Sequence, residues 1–312
     1  MKNPQVSVLL CTHNPRMEFL SASLEGLRAQ TLACDEWELI VVDNASASSV
    51  QIAPRIAWHP HGRVVREEKL GLTHARLRGF AEAKADLFVL VDDDNALKSD
   101  YLERSIKLAA EWPFLGAFGG QSHPKWEETP PEWTRRYWHL LGVREFMDDR
   151  WSNVLGGEQP VPIGAGMVLR RSVAERYASV VGHNPARAAL DRAAGKLTSC
   201  GDTDLALIAI DMGLGTGQFS RLELQHLMPS SRVEEKYLAE LIHGIHYSAT
   251  ILASFRQLLP PLPSRSERLL KWYEGRHVNP RVRKFDQIER DARDAARRAL
   301  AAFHEGKKNG AK

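Results

Sequence analysis

The sequence predicts an α/β fold in which a mostly parallel sheet is flanked by helices. Strand and helix patterns alternate through the first half of the chain, and this alternation favours parallel strands joined by crossover helices. Three strand patterns end in polar clusters: Thr12-His13-Asn14, Asp43-Asn44 and Asp92-Asp93-Asp94. Because ligands on such sheets bind at the carboxyl ends of the strands, we expect the functional site there.

Each element of the alternation has its own signal. Short apolar runs predict the strands, at Val6 to Thr12, Glu38 to Asp43, Arg63 to Arg66 and Phe88 to Val91. Helical spacing of apolar residues predicts the helices between them, through Phe19, Leu20, Leu24 and Leu27, over Thr73 to Lys84, and over Ser99 to Glu111.

Composition restricts the class of protein. The chain has 312 residues, 43% hydrophobic and 26% charged, as in ordinary globular proteins. A net charge of +3 is too small to indicate nucleic acid as a partner. Three scattered cysteines lack metal-ligand spacing, no window offers 18 uninterrupted apolar residues, and the start has no signal-peptide pattern. These features predict a cytoplasmic location, with peripheral contact to the inner face of the membrane kept open.

The three carboxylates at Asp92, Asp93 and Asp94 are the most informative feature. Side chains alternate along a strand, so Asp92 and Asp94 should point to the same side. Adjacent carboxylates repel each other unless a cation neutralises them, and oxygen-rich sites of this kind suit Mg²⁺ or Mn²⁺. The alternative is a solvated acidic turn that caps the next helix.

The second half of the chain contains an irregular segment from His123 to Pro160. It holds four tryptophans, Trp126, Trp133, Trp138 and Trp151. Long loops inside a compact domain are often binding loops, and flat aromatic faces suit sugar rings. The alternative is that the tryptophans fix the loop to the body of the protein. Glycines at Gly164-Ala165-Gly166 then indicate close approach to a ligand or a bend in a strand.

Two further candidates follow. Asp202, in Cys200-Gly201-Asp202-Thr203-Asp204-Leu205, precedes or begins a helix, so it is either a reactive carboxylate or a helix cap. His226 ends an apparent strand and precedes Met228-Pro229.

The composition changes after residue 255. Residues 256–312 contain 15 Lys/Arg and 7 Asp/Glu, a net charge of +8. A weak apolar stripe from Phe285 to Phe303 predicts a helical extension that docks on the body. Contact with anionic lipid and a solvated helical tail are the two alternatives for its role. We therefore expect a domain at 1–255, with halves at about 1–122 and 123–255, and an extension at 256–312.

Taken in order, these motifs resemble the inverting glycosyltransferases of family 2, which have the GT-A fold. The resemblance covers roughly residues 5 to 245. It rests on the first strand through Pro15, Ile40 to Ser46, Gly71 to Phe80, the Asp92-Asp93-Asp94 run, Gly164 to Met167 with Arg170-Arg171, and Cys200 to Leu205. Two positions depart from the family pattern: Leu77 replaces the usual Asn, and Gly201 replaces the usual Glu.

The resemblance implies a role for each candidate residue. A nucleotide-diphosphate sugar donor would be bound by Thr12, His13, Asn14, Asp43, Arg76, Asp92 and Asp93. Mn²⁺ or Mg²⁺ would be held by Asp94 and His226, and Asp202 would be the general base. A carbohydrate or lipid-linked acceptor would meet Trp126, Trp133, Gly164, Ala165 and Gly166.

Other classes fit the sequence less well. A nucleotidylyltransferase should have a Gly-rich loop after the first strand, where this chain has Thr12 to Arg16. A dehalogenase-like phosphatase should carry its Asp-x-Asp after the first strand, and an EF-hand needs Gly where Leu97 stands. A non-catalytic carbohydrate- or nucleotide-binding protein on the same fold remains an alternative.

Overall fold

The computed structural model describes residues 3–47, 51–156, 159–192, 195, 197–262, 264–274 and 278–310. The strands within these ranges are β1 (Val6–Thr12), β2 (Trp37–Asn44), β3 (Gly62–Glu67), β4 (Leu87–Asp92), β5 (Asn95–Leu97), β6 (Leu115–Trp126), β7 (Arg150–Ser152), β8 (Val168–Arg170) and β9 (Gly215–Met228). The α-helices are α1 (Met17–Arg28), α2 (Leu72–Glu82), α3 (Tyr101–Glu111), α4 (Arg171–His183), α5 (Gly201–Asp211), α6 (Glu235–Phe255), α7 (Arg265–Glu274) and α8 (Pro280–Gly310).

All of these strands join one mixed sheet. Its order is β3-β2-β1-β4-β8-β6-β9-β5, and β7 pairs with β9. Strands β3, β2, β1 and β4 are parallel to one another, while β8 runs antiparallel between β4 and β6. The predicted α/β architecture is confirmed.

The register brings the polar strand ends together. Thr12 pairs with Asp43 across β1 and β2, and Cys11 pairs with Asp92 across β1 and β4. The carboxyl ends of three neighbouring strands therefore form one edge, as the alternating pattern predicted.

Apolar layers cover both faces of the sheet. On one face, Leu20, Leu24 and Leu27 of α1 pack with inward-facing residues of the first strands. On the other face, α2, α4 and α5 pack against the alternate residues of the same strands, including Leu9 and Ile40. Because β1 and β2 are buried on both faces, they are almost continuously apolar.

The C-terminal helix packs on the body of the protein. Phe285, Ala292 and Ala296 of α8 are buried, and Phe285 belongs to an apolar cluster with Leu238, Leu241 and Ile242 of α6. The predicted stripe therefore does bury part of its length, although Phe303 near its end is exposed. Among the residues described, no helix combines the length and apolar character that crossing a bilayer requires.

Candidate active site

A cleft of about 1070 Å³ opens at the carboxyl edge of the sheet. Most of the residues predicted to be functional line it, namely Thr12, His13, Arg76, Asp92, Asp93, Asp94, Gly164, Ala165, Asp202 and His226. Asn14, Asp43 and Gly166 lie in the chain segments next to it and are not among its lining residues. The cleft also contains several arginines that the sequence analysis did not single out.

At the nucleotide end, two strand-end loops are tied together by hydrogen bonds. His13 donates from Nδ1 to the Asn44 carbonyl oxygen (2.6 Å), and the Asn14 backbone N–H donates to Ser46 Oγ (2.9 Å). Asn14 takes a left-handed conformation (φ 47°), which asparagine tolerates better than most residues. These contacts fix the shape of the wall that Thr12, His13 and Asn44 present to the cleft.

Asp43 lies just behind this wall and is almost fully buried. Its Oδ2 accepts a hydrogen bond from Arg66 Nη1 (2.6 Å), and its Oδ1 accepts one from the Ser46 backbone N–H (3.3 Å). Asp43 is therefore rigidly held.

The three consecutive carboxylates have different environments. Burial raises the pKa of Asp92, although the nearby Arg76 acts against this. Burial, with Asp94 next in importance, raises the pKa of Asp93 to about 7, and Asp93 accepts a short hydrogen bond from the Thr12 hydroxyl. Burial would also raise the pKa of Asp94, but His226 and Arg232 outweigh it and hold that pKa well below its usual range. Asp94 is therefore the firmly ionised member of the run.

Asp94, His226 and Arg232 form a compact cluster. Arg232 Nη2 donates to Asp94 Oδ2 (2.5 Å), and Arg232 Nη1 donates to His226 Nε2 (2.9 Å). His226 Nε2 lies 3.4 Å from Asp94 Oδ2. The sequence predicted Asp94 and His226 as functional residues but not Arg232. A cation six positions after a histidine is not a pattern that indicates a functional residue.

The cluster suits a divalent cation. Arg232 can only donate, so in the neutral ring His226 Nε2 accepts from Arg232 and the proton is on Nδ1, which is buried without a partner among the described residues. Nε2 and the ionised Asp94 carboxylate contact the same guanidinium, and Mn²⁺ accepts a nitrogen and oxygen pair of this kind where the guanidinium moves aside. In the part of the chain described, no group of three His, Cys, Asp or Glu side chains is placed to hold a metal ion.

A buried arginine crosses the floor of the cleft. Arg76 Nη1 donates to Asp191 Oδ2 (3.0 Å), and both side chains are almost fully buried. Burial alone would lower the pKa of Arg76, but Asp191, Asp92 and Asp202 raise it, so the guanidinium stays charged. The sequence analysis missed Asp191, because nothing in its local pattern indicates a partner 115 residues away.

Two glycines make this floor possible. A Cβ at Gly164 would overlap the Arg76 guanidinium, and a Cβ at Gly201 would overlap the Asp191 carboxylate. The departure at Gly201 thus has a structural reason: the space that a side chain there would need is filled by Asp191.

Asp202 lies in the first turn of α5 and faces the cleft. Its Oδ2 accepts from the Gly164 backbone N–H (2.9 Å), and its Oδ1 accepts from the Thr203 backbone N–H (2.8 Å). One carboxylate oxygen of Asp202 is therefore hydrogen-bonded to the opposite wall of the cleft rather than to its own helix. Asp204 is different, because it is fully buried and pairs with Arg187 (2.6 Å) and Arg256 (2.7 Å).

The structure corrects the placement of the predicted acceptor tryptophans. Trp126 and Trp133 do not line the cleft; they pack in the apolar cluster beneath α6 and α8. Trp126 contacts Trp138 (ring centroids 5.0 Å apart), and Trp133 stacks near Phe285 (6.1 Å). These side chains fix the irregular segment to the body, which was the alternative considered for them.

Comparisons with known proteins agree with this architecture. A model of glycosyl transferase family 2 matches residues 7–178, more than half of the chain. The putative glycosyltransferase EpsH of Bacillus subtilis (strain 168) is 31% identical over 113 residues, which is 36% of this chain and 32% of EpsH. The uncharacterized glycosyltransferase YwdF of the same organism is 30% identical over 103 residues, 33% of this chain and 37% of YwdF. The match thus spans about a third of each relative.

Two solved structures share the fold. The mannosyltransferase PcManGT from Pyrobaculum calidifontis, in complex with GDP-Man and Mn²⁺, has a TM-score of 0.56 and 17% identity, covering 100% of this chain and 81% of that one. S. aureus TarS 1-349, in complex with UDP-GlcNAc, has a TM-score of 0.53 and 14% identity, covering 88% of this chain and 72% of that one. The sheet, its flanking helices and the cleft at its carboxyl edge define a protein with the GT-A glycosyltransferase fold. The chain belongs to glycosyl transferase family 2.

Proposed function

We propose that the protein is an inverting glycosyltransferase that moves a sugar from a nucleotide-diphosphate donor to an acceptor hydroxyl, in the synthesis of a polysaccharide, glycan or glycolipid. The observation that carries this proposal is the arrangement of the cleft. The ionised Asp94 lies with His226 and Arg232 on one wall, and Asp202 is held on another by Gly164.

The donor would lie along the strand ends. Thr12, His13 and Asn44 form the wall beside which the nucleotide would lie. Asn14 and Asp43, in the segments next to this wall, would contact the nucleotide, with Asp43 at its base. Two solved neighbours carry GDP-Man and UDP-GlcNAc in their complexes, which supports a donor of this class.

Asp94 and His226 would hold Mn²⁺ or Mg²⁺ when it binds. Such an ion supplies Lewis-acid stabilisation of the leaving diphosphate. Arg76 and Arg232 add fixed positive charge to the same cleft, where it favours binding of an anionic donor.

Asp202 would remove the proton from the acceptor hydroxyl. Its carboxylate is oriented by the Gly164 N–H, so it does not have to reorganise before it accepts a proton. Attack from the face opposite the leaving diphosphate would invert the anomeric centre in a single displacement, and a positioned base contributes about 10²–10⁴-fold to such a step.

Asp202→Asn tests this role, because it keeps the shape of the side chain and removes its basicity. We expect unchanged affinity for the nucleoside diphosphate, measured by calorimetry, and a loss of sugar transfer of about 10²–10⁴-fold. Asp35→Asn, which changes an exposed carboxylate, should leave both unchanged. Normal transfer by Asp202→Asn would show that Asp202 is only a structural residue of α5.

The C-terminal extension would provide peripheral contact with an anionic membrane. Leu262, Leu269 and Leu270 are exposed around α7, within a segment whose net charge is +8. Exposed apolar residues together with positive charge favour binding to anionic lipid. Co-sedimentation should be strong with vesicles containing phosphatidylserine, weak with neutral vesicles, and reduced by salt. Equal binding to both vesicle types would contradict this.

A further inference from the structure

The cleft contains five arginines, and their partners differ. Arg76 pairs with Asp191 and Arg232 pairs with Asp94. Arg144, Arg150 and Arg192 line the same cleft, yet none of them makes an ion pair with a carboxylate among the described residues, and Arg192 follows Asp191 on the floor of the cleft while the other two lie on its wall. An unpaired guanidinium in a cleft favours an anionic ligand; Arg144 is partly removed from water, whereas Arg150 is exposed.

Arg144 has donors available toward the cleft. Its Nη1 donates to the carbonyl oxygens of His139 (2.6 Å) and Val143 (2.8 Å), which leaves its other nitrogens without an acceptor among the residues that the structure describes. Its backbone exchanges two hydrogen bonds with Ser122 of β6 (2.8 and 3.0 Å), so the base of the side chain is fixed. Burial lowers the pKa of Arg144, and the nearby charge of Asp202 acts in the opposite direction.

Arg150 extends the same wall. Its Nη2 donates to Gln218 Oε1 (3.0 Å), and Gln218 Nε2 donates in turn to the Val161 carbonyl oxygen (3.0 Å). Val161 leads directly to Gly164, whose N–H holds Asp202. Arg150 is thus connected through this wall to the residue that we propose as the base.

We propose that Arg144 and Arg150 form an oxyanion subsite, so that the acceptor carries a phosphate group near the hydroxyl that reacts. This inference rests on the proposed function, since it assumes that the acceptor hydroxyl meets Asp202. The planar fork of a guanidinium matches the oxygens of a phosphate, and two forks provide donors for several of them. Moreover, the tryptophans predicted to form an aromatic platform for a neutral sugar lie outside the cleft, because Trp126 and Trp133 pack, partly buried, against the apolar cluster under α6 and α8.

The test uses small probes on the full-length protein. Glucose 1-phosphate, dodecyl phosphate, glucuronate and methyl glucoside are titrated by calorimetry in the presence of Mn²⁺, with and without saturating UDP or GDP, whichever binds. We expect the two phosphate probes to bind while the nucleotide is present and the neutral glucoside to bind far more weakly. Arg144→Gln and Arg150→Gln should each weaken the phosphate probes by about tenfold or more, with unchanged nucleotide affinity. Arg176→Gln, an exposed change of equal charge on α4, should have no effect.

Several results would overturn the inference. These are unchanged phosphate affinity in both glutamine variants, tighter binding of glucuronate than of glucose 1-phosphate, and nucleotide affinity that falls together with phosphate affinity. The last result would assign the arginines to the donor. Should Arg144→Gln not fold, the exposed Arg150→Gln gives the comparison by itself, and Arg144→Lys, which keeps the charge without the planar fork, should weaken the phosphate probes by a smaller factor. If no nucleotide binds, the proposed function fails, whereas phosphate binding still tests the subsite. If dodecyl phosphate is the only phosphate probe that binds in an arginine-dependent way, the acceptor phosphate is linked to a lipid. If dodecyl phosphate and glucose 1-phosphate bind equally, the phosphate is recognised without its lipid.

Discussion

Replacing Arg232 by glutamine should tighten the binding of Mn²⁺ to the protein in the absence of nucleotide. In the structure the Arg232 guanidinium contacts both atoms that we propose as metal ligands, at 2.5 Å from Asp94 Oδ2 and 2.9 Å from His226 Nε2. A divalent ion that binds there must displace or repel this positive charge. Glutamine removes the charge and keeps a polar side chain.

The magnitude follows from the distances. Two unit charges about 4 Å apart interact with about 4 kcal/mol at an effective dielectric constant of 20, and the repulsion doubles for a divalent ion. Arg232 can move away from the ion, so much of this repulsion is relieved. We therefore take about 1.4 kcal/mol, a tenfold gain in Mn²⁺ affinity, as the lower limit of the effect. In chelator the same variant should be less stable than the wild type, because the buried Asp94 loses a charged partner.

Mn²⁺ titration followed by electron paramagnetic resonance measures the affinity, and thermal unfolding with and without chelator measures the stability. Arg232→Lys keeps the charge and should retain the weaker, wild-type affinity. Equal or weaker Mn²⁺ binding by Arg232→Gln would refute the reasoning, because Arg232 would then not compete with the ion for Asp94 and His226.

Three other predictions concern stability. Asp204→Asn should lower the free energy of unfolding by about 3–5 kcal/mol, because it breaks a fully buried pairing with two arginines; a loss below 1 kcal/mol in urea unfolding would contradict this. Burial, helped by His61, lowers the pKa of His59 from 6.5 to about 4, so the unfolded chain binds more protons between these values and stability falls as the pH drops through them. His59→Phe should flatten this dependence of stability on pH, which amounts to about 3 kcal/mol at most. If the urea midpoints of the variant follow those of the wild type from pH 7 to 4, the effect is excluded. Gly201→Ala should push Asp191 away from Arg76 and lower the melting temperature by several degrees, whereas Gly182→Ala, which meets no neighbour, should not.

Local patterns were sufficient to predict strands β1 to β4 of the sheet and one edge of the site. The apolar runs of β1, β2 and β4 specify buried strands, and parallel pairing necessarily places Thr12, Asp43 and Asp92 side by side. The position of Asp202 at the start of α5 was likewise visible, because a carboxylate next to an apolar helical run marks the helix N-terminus.

Pairs that are distant in sequence were not predicted. Asp191 and Arg76 have no local feature in common, and Arg232 lies in a short 3-10 helix, Ser230–Val233, whose position depends on the end of β9. The predicted position of Trp126 and Trp133 beside the acceptor differs from the structure for a related reason. An aromatic side chain in an irregular segment is equally suited to a ligand or to an apolar cluster, and only the position of α8 shows that Trp133 faces Phe285.

The contact between Asp191 and Gly201 links two positions that must change together. A glutamate at position 201, as is usual in the resembled family, cannot be accommodated while Asp191 occupies its space. Conversely, removing the Asp191 carboxylate alone leaves Arg76 without its nearest counter-charge. Each single substitution should therefore be harmful, while Gly201→Glu combined with Asp191→Gly would transfer one negative charge from a loop to the first turn of α5. We therefore expect reciprocal sign epistasis at this pair, in which a second mutation rescues the first.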